Sequence, residues 1–395
     1  HYLHGATAFA NISNHNAPFE QIKNSSRVFL FGTEIDRYNP VVGYMINSAK
    51  VPYEVISTRS IPRLKRKANN YNQIKSYFHF VQAVNHYLLS NNLQNSLFLN
   101  DNCDNSDEYK TNLLANNYYE LCKQAWDCNG KCIEEFALKF NAEINAILLF
   151  SEKEIDQQTS IELRNLALIT GKLGKTASGI IALKSKNNSQ GLFDMGVRPR
   201  TGVGAQSISE NGFVEKLQQK CNVNKIPTSE KECFTERFFK SEFQNLFIFG
   251  EDPVGCSHEN KRIKEAISNA EFIVVQDAFM TETAKMANLV LPSSFWFETG
   301  GSFTNTQRTI QEFDASIKPK VEKTSVEQLI DIQKQFGLNV VNDVNEVKNE
   351  AISLLPNSMN KNKFEFIAIN EPDELSPFDH GCDYLMEQFD KDFEE

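Results

Sequence analysis

The chain has 395 residues, enough for two packed domains, and its 41% hydrophobic and 23% charged residues are ordinary for a soluble globular protein. The formal net charge of −10 argues against broad nucleic-acid binding, because neutralising phosphates requires a surplus of Lys and Arg. No apolar run reaches the length of a membrane span, which excludes a direct crossing within this sequence.

The first half of the chain alternates short apolar runs with amphipathic segments. We predict strands at 27–31, 53–56, 96–99, 146–150 and 179–183. Helices are predicted at 40–50, 72–90, about 110–140 and 160–170, where apolar residues recur with helical spacing. This alternation is typical of a doubly wound α/β fold with a mainly parallel sheet. Residues 1–190 are therefore predicted to form a first Rossmann-like domain.

The second half repeats this pattern on a smaller scale. Predicted strands lie at 246–249, 272–275 and 289–291, with a helix near 258–269. Two further helices are predicted near 325–336 and 343–354. We assign 191–340 to a second α/β domain and 341–395 to an acidic, helical or irregular arm that packs on something else.

Glycine and polar residues follow several predicted strands, at the edge where open α/β sheets bind ligands. Gly32 follows the first strand, where a residue without a side chain lets the backbone approach a phosphate. Gln276 and Asp277 follow the strand at 272–275, and Thr281 can cap the next helical turn. From these residues alone, ordinary turns in an α/β protein remain the alternative to a ligand site.

Two longer motifs are more specific than these single positions. The first reads KNNSQG at 186–191 and DMG at 194–196; taken alone, it is more typical of a polar loop between domains than of a ligand site. The second runs from VQD at 275–277 through TETA at 281–284 and LP at 291–292 to FTNTQR at 303–308. In this order they resemble the molybdopterin oxidoreductase family, in particular formate dehydrogenase large subunits and the large iron–sulfur subunit of NADH:quinone oxidoreductase (complex I).

The resemblance implies two Rossmann-like units, as in the middle domains of that family. It also implies a molybdopterin guanine dinucleotide carrying molybdenum or tungsten, held between domains. The positions that match the motifs and would contact this cofactor are Gly32, Asn187, Asn188, Gln190, Asp194, Gln276, Asp277, Thr281, Asn305 and Arg308.

Several positions depart from the family pattern. Ser57 stands where the family has an Asp that accepts hydrogen bonds from guanine, and serine cannot act as a charged bidentate acceptor. Lys172 replaces an Asn, and Asn288 replaces an Asp. The cysteines at 103, 122, 128 and 132 lack the spacing of common zinc or cubane sites, and no catalytic residue can be assigned. These departures from the family pattern favour a chain that does not bind the cofactor.

Three functions fit the sequence. The first is a scaffold module without its own metal centre in an NADH-linked, complex I-like assembly, where partner subunits carry iron–sulfur clusters and flavin. The second is the central part of a bis-pterin formate dehydrogenase-like catalytic subunit whose metal ligand precedes His1. The third is a free-standing nucleotide-binding protein. The eight dispersed cysteines suit a reducing compartment, so we expect a soluble protein on the cytoplasmic or matrix side, peripheral to a membrane complex at most.

Overall fold

The computed structural model describes residues 16–126, 130–152, 154–184, 186–197, 202–206, 212–226, 234–257, 259–339, 344–354 and 364–366. They form a larger and a smaller α/β unit, each built on a parallel sheet. The predicted α/β class with parallel sheets is confirmed. In the described part of the chain, no helix is long and apolar enough to cross a membrane.

The larger unit begins with the short helix α1 and ends with α11. Its strands are β1 (Arg27–Phe31), β2 (Tyr53–Ser57), β3 (Asn70–Gln73), β4 (Cys103–Asp104), β5 (Ala146–Ser151) and β6 (Gly179–Leu183). Its helices are α1 (Gln21–Asn24), α2 (Ile35–Tyr38), α3 (Pro40–Ala49), α4 (Pro62–Lys67), α5 (Tyr77–Ser90), α6 (Ser96–Asn102), α7 (Ser106–Leu114), α8 (Tyr118–Ala125), α9 (Lys131–Ala142), α10 (Gln157–Ile169) and α11 (Ser189–Asp194).

The main sheet of this unit has the strand order β3-β2-β1-β5-β6, and all its pairs are parallel. Strands β1, β2, β5 and β6 are apolar runs buried on both faces, as expected of a doubly wound sheet. The chain order reverses between β1 and β5. Their carboxyl ends therefore border a crevice at the topological switch point.

Two predictions in this unit are wrong. Residues 96–99 form the start of helix α6 rather than a strand, because the Asn95 side chain accepts a hydrogen bond from Phe98 N–H and caps the helix. The edge strand is instead β3, a polar run that lies outside the predicted strands. The single helix predicted at 110–140 is three helices, α7 to α9.

The smaller unit has a three-stranded parallel sheet in the order β7-β8-β9. A β-hairpin, β10–β11, follows it and packs on the larger unit. Its strands are β7 (Asn245–Phe249), β8 (Phe272–Asp277), β9 (Leu289–Pro292), β10 (Gly301–Thr304) and β11 (Ile310–Phe313). The helices after α11 are α12 (Phe213–Cys221), α13 (Phe234–Phe239), α14 (Pro253–Cys256), α15 (Asn260–Ser268), α16 (Trp296–Thr299), α17 (Ser325–Gln335) and α18 (Val344–Leu354), with 3₁₀ turns at Val203–Ala205 and Ala284–Met286.

A short segment from the C-terminal region docks on the larger unit. Strand β12 (Phe364–Glu365) pairs in parallel with β4. Phe366 is buried and stacks on Tyr109, with ring centroids 4.7 Å apart. The Asn105 side chain bonds both the N–H (2.8 Å) and the C=O (2.9 Å) of Phe366. These three residues of the predicted arm thus pack on their own chain.

Candidate functional site

The first candidate site is the amide segment, which we define as residues 186–195, around the start of α11. Asn188 accepts a hydrogen bond through Oδ1 from the Thr304 N–H of the hairpin (2.9 Å). Gln190 donates through Nε2 to Asp194 Oδ1 (2.9 Å). Arg308 Nε lies 3.2 and 3.3 Å from the two Asp194 carboxylate oxygens, and its Nη2 is paired with Oδ1. Four of the predicted site residues are therefore brought together.

Close packing explains why a glycine follows Gln190. A Cβ on Gly191 would lie 2.2 Å from Asn188 Oδ1 and 3.3 Å from Thr304 Oγ1. Any side chain there would displace the Asn188 amide from its bond to the hairpin. Asn187, also predicted, is exposed at the rim of the segment.

Polar groups inside the amide segment remain without partners. Ser189 Oγ and Gln190 Oε1 are buried and have no hydrogen-bond partner among the described residues. A buried polar group without a partner is costly, so such atoms point to a missing ligand, water or ion. This part of the segment fits a polar group such as a pterin.

The tip of the β10–β11 hairpin attaches to the larger unit. Asn305 Oδ1 accepts from the backbone N–H groups of Gln307 (2.9 Å) and Thr309 (3.1 Å), so this predicted site residue closes the hairpin turn. Thr306 accepts from Asn16 Nδ2 through its C=O (2.9 Å) and from Lys184 N–H through its hydroxyl (3.2 Å). The hairpin acts as a clasp between the two units.

The predicted residues on the second sheet hydrogen-bond within the smaller unit. Gln276 donates through Nε2 to Gln328 Oε1 of α17 (2.7 Å). Asp277 accepts from the Phe279 N–H (2.9 Å), and Thr281 Oγ1 accepts from the Ala284 N–H (3.1 Å). Among the described residues, none of their hydrogen bonds reaches the amide segment.

One polar contact of the second sheet was missed by the sequence argument. Asp252, just after β7, accepts from Thr283 through both the backbone N–H (2.9 Å) and the hydroxyl (2.6 Å). Burial raises the pKa of Asp252, but these bonds and one from the Gly255 N–H outweigh it and hold the pKa below its usual range. The Gly-Glu-Asp-Pro sequence after the strand was the available signal.

The second candidate site is the strand-end crevice, which we define by Gly32, Glu34, Ser57, Arg59 and Glu154. Gly32 follows β1 with a φ of +74°. Ser57 is buried at the end of β2, and its hydroxyl accepts from the Arg59 N–H (3.2 Å). Arg59 Nη2 lies 3.8 Å from Glu34 Oε1 and 3.6 Å from Glu154 Oε1.

Charge in this crevice does not suit a nucleotide. The carboxylates of Glu34 and Glu154 face the Arg59 guanidinium, and Glu34 Oε2 also lies 4.0 Å from Arg37 Nη1. Lys184, after β6, is paired with buried Glu152 (3.1 Å). An incoming pyrophosphate would meet carboxylates where phosphate sites present N–H groups and positive charge. The dinucleotide part of the implied cofactor therefore does not fit this crevice. In the described part of the chain, no three His, Cys, Asp or Glu side chains are grouped to hold a metal.

Comparison with known proteins shows the family of the chain. The sequence model of the molybdopterin oxidoreductase family matches residues 4–330, most of the chain. The chain belongs to the molybdopterin oxidoreductase family. The resemblance drawn from the motifs is thereby confirmed.

Relatives within this family include formate dehydrogenases. The chain is 27% identical to formate dehydrogenase H of Escherichia coli (strain K12), over 98% of this chain and 56% of that protein. It is 36% identical to the F420-dependent formate dehydrogenase subunit alpha of Methanocaldococcus jannaschii, over 47% of this chain and 29% of that one. The chain thus spans between 29% and 56% of the length of the curated relatives it matches first.

A solved structure shares the fold of this molybdopterin oxidoreductase family member. Acetylene hydratase from Pelobacter acetylenicus superposes with a TM-score of 0.60, over 84% of this chain and 50% of that one. At 14% sequence identity this likeness concerns the fold alone. The names of these relatives do not confirm the complex I-like hypothesis.

Proposed function

We propose that this chain is a structural module of an electron-transfer assembly and has no metal centre of its own. The observation that carries the proposal is the mutual bonding of Gln190, Asp194 and Arg308. These side chains, which would otherwise contact a cofactor, bond to one another. The charges of Asp194 and Arg308 neutralise each other, and this pair fastens the hairpin to the larger unit. Their chemistry stabilises a junction between units rather than a bound group.

Further features support a scaffold. Ser57 uses its hydroxyl in a local turn, and the strand-end crevice carries carboxylates. A module of this kind needs partners that carry the electrons, which we propose are iron–sulfur and flavin- or NADH-binding subunits. We place the assembly on the cytoplasmic or matrix side, at the periphery of a membrane complex.

A second candidate function has its own supporting observation. The buried, unpartnered Ser189 Oγ and Gln190 Oε1 fit a polar ligand in the amide segment. Both curated relatives described above are named formate dehydrogenases. In this alternative the chain is the central part of a formate dehydrogenase-like subunit, and Asn188, Gln190 and Asp194 hold one pterin. A molybdenum or tungsten pterin cofactor supplies two-electron redox chemistry when bound. Nothing in the crevice favours the free-standing nucleotide-binding hypothesis.

Metal and pterin analysis of the protein purified with its accompanying subunits tests the two candidates. We expect iron and flavin in the assembly, without molybdenum, tungsten or pterin. Stoichiometric molybdenum or tungsten with oxidised-pterin fluorescence would overturn the scaffold proposal. The variant Asp194→Asn, which keeps the size of the side chain and removes its charge, tests the amide segment directly. If the amide segment holds a pterin, this variant loses pterin while its circular dichroism spectrum stays unchanged.

A further inference from the structure

The space above Gly32 is filled by a side chain of the same protein. Gly32 directly follows β1, where the missing side chain leaves room beside the backbone at the switch point. A Cβ placed on Gly32 would lie 3.0 Å from Glu154 Oε2 and 3.2 Å from Glu154 Cβ. The carboxylate of Glu154 therefore lies directly on the bare face of the glycine.

The groups around this carboxylate are those that bind anions. The Glu34 backbone N–H points to Glu154 Oε1 at 3.4 Å. Arg59 contributes a guanidinium 3.6 Å from the same oxygen. On the far side, the Tyr77 hydroxyl lies 3.4 Å from the Gly32 Cβ position. A backbone N–H and a guanidinium beside a strand-end glycine are the usual ligands of a phosphate in an open α/β sheet.

The carboxylate comes from the opposite side of the switch point. Glu154 follows β5, whereas Gly32 and Glu34 follow β1, and these two strands are hydrogen-bonded neighbours. Because the two strands are adjacent, the Glu154 side chain reaches Gly32 directly across the switch point. The side chain is only 9% exposed, so solvent does little to screen its charge from an incoming anion.

We infer that Glu154 is an internal anion that occupies the phosphate position of the strand-end crevice and excludes nucleotides from it. This inference deepens the proposed function and rests on it, because a scaffold requires no nucleotide. It assigns the loss of nucleotide binding to one residue rather than to the general departure of the chain from the family pattern. A single substitution should then restore an anion site.

Isothermal titration with inorganic pyrophosphate and, separately, guanosine diphosphate tests the inference in low-salt buffer. The protein with Glu154 should give no saturable binding. Glu154→Ala removes the carboxylate beside the Glu34 N–H and the Arg59 guanidinium, and should give saturable binding of both probes, with a Kd at least about tenfold below the highest probe concentration at which the protein with Glu154 shows none. Glu154→Gln removes the charge but keeps the bulk, and should gain less than Glu154→Ala. Glu135→Ala makes the same change in net charge on exposed α9 and should gain nothing.

Each outcome decides the inference. Saturable binding by the protein with Glu154, or equal affinity in all variants, would overturn it. If Glu154→Ala fails to fold, the nearly isosteric Glu154→Gln still reports whether removing the charge admits pyrophosphate, and no gain there would also overturn it. The proposed function fails separately. A purified assembly that contains pterin, but whose crevice does not bind pyrophosphate, would contradict the scaffold proposal and leave the role of Glu154 intact.

Discussion

At the scale of single residues, Lys172, which replaces a family Asn, is buried and held by contacts within the larger unit. Its ammonium donates to the Asn141 C=O (3.3 Å) and lies 5.0 Å from the centroid of the Phe140 ring. Burial, together with the nearby charge of Lys175, lowers the pKa of Lys172 to about 8, although Glu143 acts in the opposite direction. A charged ammonium is thus held in a site that favours its neutral form.

The pH dependence of stability should reveal this lysine. Because the folded-state pKa lies below that of an unfolded lysine, the unfolded chain binds more protons between about pH 8 and 10.5. The contribution of Lys172 to the free energy of unfolding therefore rises across this window, by on the order of 3 kcal/mol. Lys172→Met should remove this rise and stabilise the protein at pH 7, as measured by urea unfolding at several pH values. Exposed Lys123→Met is the control, and an equal rise in both variants would contradict the assignment.

Sequence spacing predicted part of the candidate site at this scale. Asn188, Gln190, Asp194 and Arg308 were all identified from the motifs. The structure joins Gln190, Asp194 and Arg308 through hydrogen bonds, and Asn188 bonds Thr304 of the same hairpin. Glu154 was not identified, because it belongs to no motif and reaches Gly32 only through the pairing of β1 with β5. A contact across neighbouring strands far apart in the chain leaves no periodic signal.

At the scale of elements, buried apolar strands were predictable and short polar ones were not. The runs at β1 and β6 have the predicted bounds because continuous apolar residues define strands covered on both faces. Strand β3, with the sequence NYNQ, has no such pattern and forms only because β2 offers an edge to pair with. Helix α6 was predicted as a strand because a run of four residues is too short to distinguish the periodicity of a helix from that of a strand.

A buried polar cluster joins three helices of the larger unit. Tyr109 of α7 donates its hydroxyl to Glu162 Oε2 of α10 (2.7 Å), and Asn85 of α5 donates to the same oxygen (2.9 Å). Burial raises the pKa of Glu162, and burial together with the charge of Glu162 raises the pKa of Tyr109. The cluster fixes how the helices meet, at the expense of a desolvated carboxyl group.

Removing one donor from this cluster should be costly in a pH-dependent way. Tyr109→Phe leaves the buried Glu162 carboxyl group with one hydrogen bond fewer and should lower the free energy of unfolding at pH 7 by about 1–3 kcal/mol. The folded-state pKa of Glu162 is raised, so lowering the pH from 7 to 4 protonates the carboxyl group in the folded protein before it does so in the unfolded chain, and the loss should shrink as the pH falls. Denaturant unfolding at both pH values measures this. Tyr119→Phe, at a side chain 76% exposed, should change stability little, and equal losses at both positions would argue against the cluster.

At the scale of the whole molecule, the two units have separate and unequal cores. Among the described residues, the sheet of the larger unit is covered by buried clusters of 35 and 16 side chains on its two faces. The cluster of the smaller unit has eight. A core this small supplies little stability, so the smaller unit depends on its attachment through the hairpin clasp.

The chain carries two tryptophans, and each reports one of these units. Trp126 packs on Phe80 in the larger unit (ring centroids 5.8 Å apart), and Trp296 of α16 packs on Phe313 of the hairpin (5.5 Å). In single-tryptophan variants, Trp126→Phe and Trp296→Phe, we expect the transition reported by Trp296 fluorescence to occur at the lower urea concentration.

In these single-tryptophan proteins, Arg308→Gln removes the charge-assisted bond to Asp194, and should lower the midpoint of the Trp296 transition by the equivalent of about 1–3 kcal/mol. The Trp126 midpoint should stay in place, because its core lies on the other side of the clasp. Lys285→Gln, in an exposed pair with Glu282, is the matched control and should move neither transition. Coincident transitions that shift together in Arg308→Gln would mean that the two units fold as one cooperative body, with the clasp inside a shared core.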